Sequence, residues 1–263
     1  MNIKELKEFL DEKAALYEQA HFLENDPIQI PHLFEKKEDV EISGFLVASI
    51  AWGNRVSIIK NGKRMMELMD YDPHSFILHH SKKELKNLKP FVHRTFNGTD
   101  FIYFVQSLQN IYLNHGGLEK TFSKDCQAER MGNNIQHFKK LFFELPHHFR
   151  TEKHVSDPVK NSAAKRINMF LRWMVRPSTK KVDFGIWTQI KTKQLSCPLD
   201  VHTGNIARSL QLLKRKQNDW KAVIELDFVL RSFDSIDPVK YDFALFGLGV
   251  NEDFNTKDFT LKL

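Results

Sequence analysis

The sequence predicts an all-α protein with many short helices on three observations. Apolar residues recur at three- and four-residue spacing in one segment after another, sustained period-two alternation is absent, and Asp-Pro, Asn and Gly signals separate the segments. Ile3, Leu6, Phe9, Leu10, Leu16 and Tyr17 mark an amphipathic helix over residues 2–23. Asp26-Pro27 ends it, and Pro27 and Pro31 make residues 27–34 extended or turn-like. An apolar helix over 38–50 breaks at Ala51-Trp52-Gly53-Asn54-Arg55, and a second runs over 56–69. Asp72-Pro73 starts a short helix, and residues 81–88 form a basic one. The stripe Phe101, Phe104, Val105, Leu108, Ile111 and Tyr112 reads as core within 91–113, closed by Gly116-Gly117. Residues 134–143 are helical, with Phe138, Leu141, Phe142 and Phe143 apolar, and end at Pro146-His147-His148. A long apolar helix covers 165–175, and another begins after Asp200 with Ile206, Leu210 and Leu213 at helical spacing. Trp220 and Phe228 fall on a last apolar face and read as core. The expected division is residues 1–44, 45–185 and 186–263.

Bulk composition narrows the partners without choosing one. At 263 residues the chain is large enough for one big domain or two lobes sharing a cleft, and 22 Phe supply core volume. A net charge of +6 favours an acidic partner: nucleic acid, an anionic metabolite or a membrane surface. Cys126 and Cys197 are the only cysteines, too few for an iron–sulfur cluster and without metal-ligand spacing. The start of the chain has no apolar h-region, and no run approaches membrane-spanning length, so the expected setting is reducing and cytoplasmic.

The chemistry concentrates in Cys197-Pro198-Leu199-Asp200-Val201-His202-Thr203-Gly204-Asn205-Ile206-Ala207-Arg208. A proline followed two residues later by an acid at a helix mouth is the pattern of an N-cap. His202 and Arg208 beside it, and the basic stretch 160–193 ahead of it, admit a second role: an ionised acid beside a pool of lysines suits imine chemistry on a polyanion. Lys165 is the amine that fits. It opens the apolar helix after Asp157-Pro158-Val159-Lys160-Asn161-Ser162-Ala163-Ala164, where the helix dipole, burial and neighbouring Lys160 and Arg166 all disfavour a charged amine. Lys181 stands nearer Asp200 along the chain and is the rival, although Ser178-Thr179-Lys180-Lys181-Val182-Asp183 leads into no long apolar helix. The loop at Trp52 places an aromatic, a Gly, an Asn and an Arg in one short turn, suited to a sugar–phosphate backbone or to the gap left by a displaced base.

Lys165 on a helix preceded by a turn, followed downstream by Pro198-Leu199-Asp200-Val201-His202 and its own helix, resembles the helix-hairpin-helix DNA glycosylases. The Pro-x-Asp-x-His segment is most similar to that of 8-oxoguanine glycosylases, and the long Lys-to-Asp separation to their archaeal type. The similarity spans roughly residues 40–250 and implies two helical lobes flanking a basic cleft: residues 1–44 as a helical segment packing on the C-terminal lobe, 45–185 as a helical barrel lobe with a hairpin, and 186–263 as the C-terminal lobe. The chain also resembles a bacterial family of unknown function with the signatures Met-Phe-Leu-Arg-Trp-Met-Val-Arg and Pro-Leu-Asp-Val-His-Thr-Gly. The glycosylase resemblance implies a base-excision enzyme for an oxidised purine such as 8-oxoguanine, acting by a lysine Schiff base, with strand nicking as a further activity. It implies Lys165 and Asp200 as catalytic groups, and Asp242 and Phe246 as the pair that holds and stacks an extruded base. Trp52, and also Trp173 or Trp187, are further aromatics for that base. Asn54, Arg55, Lys160, Asn161, Ser162, Arg166, His202 and Arg208 are the expected DNA contacts. The implied partner is double-stranded DNA with a damaged base, bound by a monomer at the nucleoid, with no cofactor, metal or membrane. One departure is plain: the superfamily's Gly-x-Gly before the lysine is missing.

Three other classes compete, one of them an interaction protein using its Phe-rich faces, although Phe at helical spacing is ordinarily core. A non-catalytic helical DNA- or RNA-binding protein needs the basic face but neither Lys165 nor Asp200. A metal-dependent hydrolase could draw on Asp200, His202, His79-His80 or His147-His148, none at the His-Glu-x-x-His spacing.

Overall fold

A computed structural model describes residues 2–251, and these are mostly helical. In chain order the helices are α1 (Ile3–Tyr17), α2 (Lys37–Ser49), α3 (Arg55–Glu67), α4 (Pro73–His79), α5 (Lys82–Asn87), α6 (Gly98–Asn114), α7 (Gly117–Phe122), α8 (Gly132–Phe142), α9 (Lys165–Val175), α10 (Val201–Ser209), α11 (Trp220–Phe233) and α12 (Tyr241–Asn251). Side chains that accept hydrogen bonds from first-turn N–H groups start many of them. Asn2 and Glu5 form a capping box on α1, Ser81 and Glu84 on α5, Asn97 and Asp100 on α6; Asp72 caps α4 just ahead of Pro73.

Residues 27–34, expected to be extended or turn-like, form two short 3-10 turns, Pro27–Gln29 and Pro31–Leu33. Two local features differ from expectation. The stretch ahead of α6 is a tight hairpin, β1 (Val92–His93) antiparallel to β2 (Phe96–Asn97), too short to show alternation in sequence. Helix α10 stops at Ser209, so Leu210 and Leu213 are buried beyond its end rather than on its face.

Two compact units divide the described residues: 2–22, 127–132 and 157–251 form one, and 23–126 with 133–156 form the other. The helix carrying Lys165 thus groups with the segment after residue 186, not with residues 45–126 and 133–156. Its backbone is stitched into that unit, since Phe184 N–H donates to Trp173 O (2.8 Å) and Trp187 N–H to Met174 O (3.0 Å).

In the first unit α1 lies along α12, burying Leu6, Leu10 and Ala14 among Leu226, Leu230, Tyr241, Leu245 and Leu248. Ile3 and Leu16 face out instead, because the buried stripe runs through Ala14. The close approach depends on Gly247, where an added Cβ would sit 2.2 Å from the Tyr17 ring. Phe228 is 73% exposed, on the outer side of α11, and is not core. The second unit is built on phenylalanine. Phe45, Phe96, Phe104, Phe138 and Phe142 are fully buried, and most of their ring pairs meet edge-on, as quadrupoles prefer.

Candidate functional site

The site in the first unit begins with the turn before α9. Asp157 accepts from Val159 N–H, Ser162 N–H closes back on Asp157 O (3.1 Å), and the chain reverses through left-handed residues at Asn161 (φ 64°) and Ala164 (φ 47°). Left-handed backbone is natural for glycine and strained for alanine, by roughly 1–2 kcal/mol. Ala164 is buried and serves as the N-cap, so Lys165 begins the helix directly after a sharp corner.

Lys165 and Asp200, far apart in sequence, meet here. Lys165 Nζ lies 3.7 Å from Asp200 Oδ2 and 3.7 Å from Met169 Sδ, one turn along α9. Both side chains are about three-quarters covered, at 27% and 23% exposed, which leaves each a window to solvent. The two carboxylate oxygens divide their work. Oδ1 accepts from Thr203 N–H (3.0 Å) and caps α10, while Oδ2 faces the amine. Asp200 is therefore a helix cap and an ion-pair partner at once. The 3.7 Å gap exceeds a good hydrogen bond, so the amine is attracted but not locked.

Beneath this pair lies buried charge that sequence reasoning missed. Arg172 on α9 and Arg176 just past its end project from an apolar stretch. Arg172 donates to Asp183 Oδ1 (3.2 Å) and to Asp242 Oδ2. Arg176 bonds Asp183 (3.2 Å), Asp237 (2.8 Å) and both oxygens of Glu18. Phe243 lies against both guanidinium groups, 4.2 Å from Arg172 and 5.3 Å from Arg176. Two arginines one turn apart in an otherwise apolar stretch were the available signal, because buried guanidinium demands carboxylate partners. Burial pushes the Asp242 carboxyl up to about 6, with Arg172 and Lys165 pulling it down and Asp200 adding to the rise. The same burial, with Asp242 and Asp227 close by, drives the Cys197 thiol well above its usual range.

Several expected contacts turn out to have internal duties. Asp242 is buried and committed to Arg172 through Oδ2, with Oδ1 3.9 Å from Cys197 Sγ. Phe246, half-buried, meets Phe22 edge-on at 6.3 Å. Trp173 and Trp187 are buried at 0% and 2% exposure and present no face to a ligand. Asn161 donates to Asp219 Oδ2 (3.0 Å) and accepts from Lys221 N–H, and Ser162 Oγ accepts from Ala164 N–H (3.3 Å); both tie the turn to itself and to α11. Arg208 donates to Asn218 Oδ1 (2.6 Å) and Arg215 O (2.8 Å). Lys160 and His202 are exposed, and Arg166 is half-buried, its guanidinium drawn down to about 10 by burial. The rival Lys181 is exposed on the turn after Ser178, with left-handed backbone (φ 59°); it is Lys165 that reaches Asp200.

In the second unit the loop before α3 is braced from below. The Trp52 ring stacks on His154 at 5.8 Å and meets His93 edge-on at 5.2 Å. His93 is held by Asn61 (2.9 Å), and His154 lies 3.4 Å from Asp100, a fully buried carboxylate. Asp100 also accepts from Thr151 Oγ1 (2.7 Å), Arg150 Nη1 (2.7 Å) and Asn97 N–H (3.0 Å). Burial works to raise the Asp100 carboxyl, but His154, Asn97 and Thr151 hold it far below the usual range. Trp52 is consequently half-buried, while Gly53 and Asn54 stand exposed, with Asn54 capping α3 through Ser57 N–H (3.0 Å). Arg55 is half-buried in the first turn.

Among the described residues, no three His, Cys, Asp or Glu side chains gather as a metal site, and no helix is long and apolar enough to cross a membrane. The molecule is thus defined by helical units, one of which sets a lysine beside a helix-capping aspartate. Residues 26–251 match the family described as protein of unknown function DUF2400, and the chain belongs to that family. No curated protein and no solved structure matches it.

Proposed function

We propose that the protein is a DNA base-excision glycosylase acting on an oxidised purine such as 8-oxoguanine in duplex DNA, with Lys165 as nucleophile and Asp200 as its carboxylate partner. The observation that carries the reading is the largely covered Lys165–Asp200 pair at 3.7 Å. A damaged nucleotide is turned out of the duplex, and Lys165 Nζ attacks C1′. The C1′–N bond breaks with its electron pair on the base, which leaves after taking a proton. The attacking nitrogen gives up its proton, with Asp200 as acceptor, and opening of the sugar ring yields the Schiff base. Water then returns the amine, or loss of a C2′ proton eliminates the 3′ phosphate and nicks the strand. Asp200 also offsets the positive charge that develops on the sugar, and it can do so because its capping bond keeps the other oxygen turned toward the amine. Asp242 acts through Arg172 in this scheme, and Phe246 is the aromatic for the displaced base. Lys160 and His202 supply backbone contacts, the generic part of the assignment.

The test is borohydride trapping on duplexes carrying 8-oxoguanine or an abasic site. A covalent adduct should form with the wild type and Lys181→Gln, and be absent with Lys165→Gln. Tight duplex binding without any adduct overturns catalysis in favour of the non-catalytic binder.

A further inference from the structure

Asp200 is held by groups that the proposed chemistry does not use. Its backbone carbonyl accepts from Gly204 N–H (2.9 Å), the first bond of α10, and from Asn218 Nδ2 (2.8 Å). Asn218 is itself oriented: its Oδ1 accepts from Arg208 Nη2 (2.6 Å), and Arg208 Nε donates to Arg215 O (2.8 Å). The loop between α10 and α11 is anchored in turn by Arg215 Nε on Asp219 Oδ1 (2.7 Å). Space for this arrangement comes from Gly204. A Cβ there would stand 2.7 Å from Asn218 Oδ1 and 2.8 Å from Arg208 Nη1, closer than real contacts allow. The glycine and arginine of the Asp200–Arg208 segment are thus accounted for by one amide that must lie against the first turn of α10.

With its carbonyl bonded on two sides and Oδ1 bonded to Thr203 N–H, Asp200 has a single oxygen to offer, and that oxygen faces Lys165. We propose that Asn218, held by Arg208 and admitted by Gly204, is the positioning residue that aims the Asp200 carboxylate at Lys165, an inference that rests on reading those two as the reacting pair. An asparagine suits this place because its amide donates to one carbonyl while accepting from a guanidinium. A residue acting on the orientation of another group changes reactivity without touching substrate, as supporting shells do elsewhere.

The test reads Lys165 without DNA. Full-length protein is treated at neutral pH with formaldehyde and cyanoborohydride, and methylation of Lys165 is measured by peptide mass spectrometry against exposed Lys181 in the same sample. Asp200→Asn sets the full effect, a change of about two- to fivefold in the Lys165 to Lys181 ratio, the range of a partly exposed ion pair. Asn218→Ala and Gly204→Ala should move the ratio in the same direction, and Arg208→Lys less. Should Asn218→Ala unfold the chain, as judged by circular dichroism, Gly204→Ala and Arg208→Lys decide the matter. Folded variants that leave the ratio at the wild-type value, or an Asp200→Asn variant that does, overturn the proposal. A parallel incubation with an 8-oxoguanine duplex keeps the two readings apart: absence of excision by the wild type sinks the glycosylase assignment alone, while the methylation ratio still decides the role of Asn218.

Discussion

Replacing Asp227 with asparagine should stabilise the protein near neutral pH, against the usual result of breaking a buried charge cluster. Asp227 is 2% exposed on α11, and its Oδ1 accepts from Cys197 N–H (3.1 Å), three residues before Asp200. Its nearest cations stand off: Arg130 Nε is 4.0 Å and Arg231 Nη2 3.9 Å from Oδ2. Burial raises the carboxyl from 3.8 to about 6, with Ser196, Arg231, Cys197 N–H and Arg130 only partly opposing it. At roughly 1.4 kcal/mol per pH unit, ionising this group costs the folded chain about 3 kcal/mol more than it costs the unfolded one. An asparagine retains the acceptor for Cys197 N–H and carries no charge. The raised value means that the acid favours folding below 3.8 and loses that contribution as pH rises through 6. Asp227→Asn should therefore exceed the wild type by about 3 kcal/mol at about pH 7, and the gap should close by about pH 4. Urea unfolding followed by tryptophan fluorescence at a series of pH values measures it, and comparing the two proteins at each pH cancels the other carboxylates. A variant less stable than the wild type near neutral pH refutes the reasoning, since the two arginines would then hold the anion across their gaps.

Other perturbations have definite outcomes. Arg172→Met leaves Asp183 and Asp242 buried without their shared cation and should cost about 3–5 kcal/mol in the same unfolding experiment. Thr151→Val removes a donor from fully buried Asp100 and should cost about 1–3 kcal/mol, with altered Trp52 emission as the brace under that ring loosens. Asp200→Asn retains an acceptor for Thr203 N–H, so its melting temperature should stay near the wild-type value; excision from an 8-oxoguanine duplex should fall by about 10²- to 10⁴-fold.

Helical class and most element positions were legible along the chain because they depend on local signals. The apolar spacing of 165–175, the Asp72-Pro73 start and the Pro-x-Asp start of α10 each specify backbone within a turn or two. Lys165 and Asp200 could be singled out from residue type and from resemblance, because an amine and an acid each open a helix. What periodicity could not convey was which side of a helix meets another element. Phe228 and Ile3 look like core in sequence, yet the stripes that pack run through Leu226, Leu230, Leu6 and Ala14.

Sequence by itself determined that helices form, where they start, and which two residues were worth bringing together. Only the tertiary structure decided that Lys165 and Asp200 come within 3.7 Å, and that Asp242, Arg208 and Asn161 are bonded internally. The physical reason is range. A cap or a turn is settled by neighbours in the chain, whereas the partner of a buried charge is settled by whichever distant segment supplies the opposite charge in the same desolvated place.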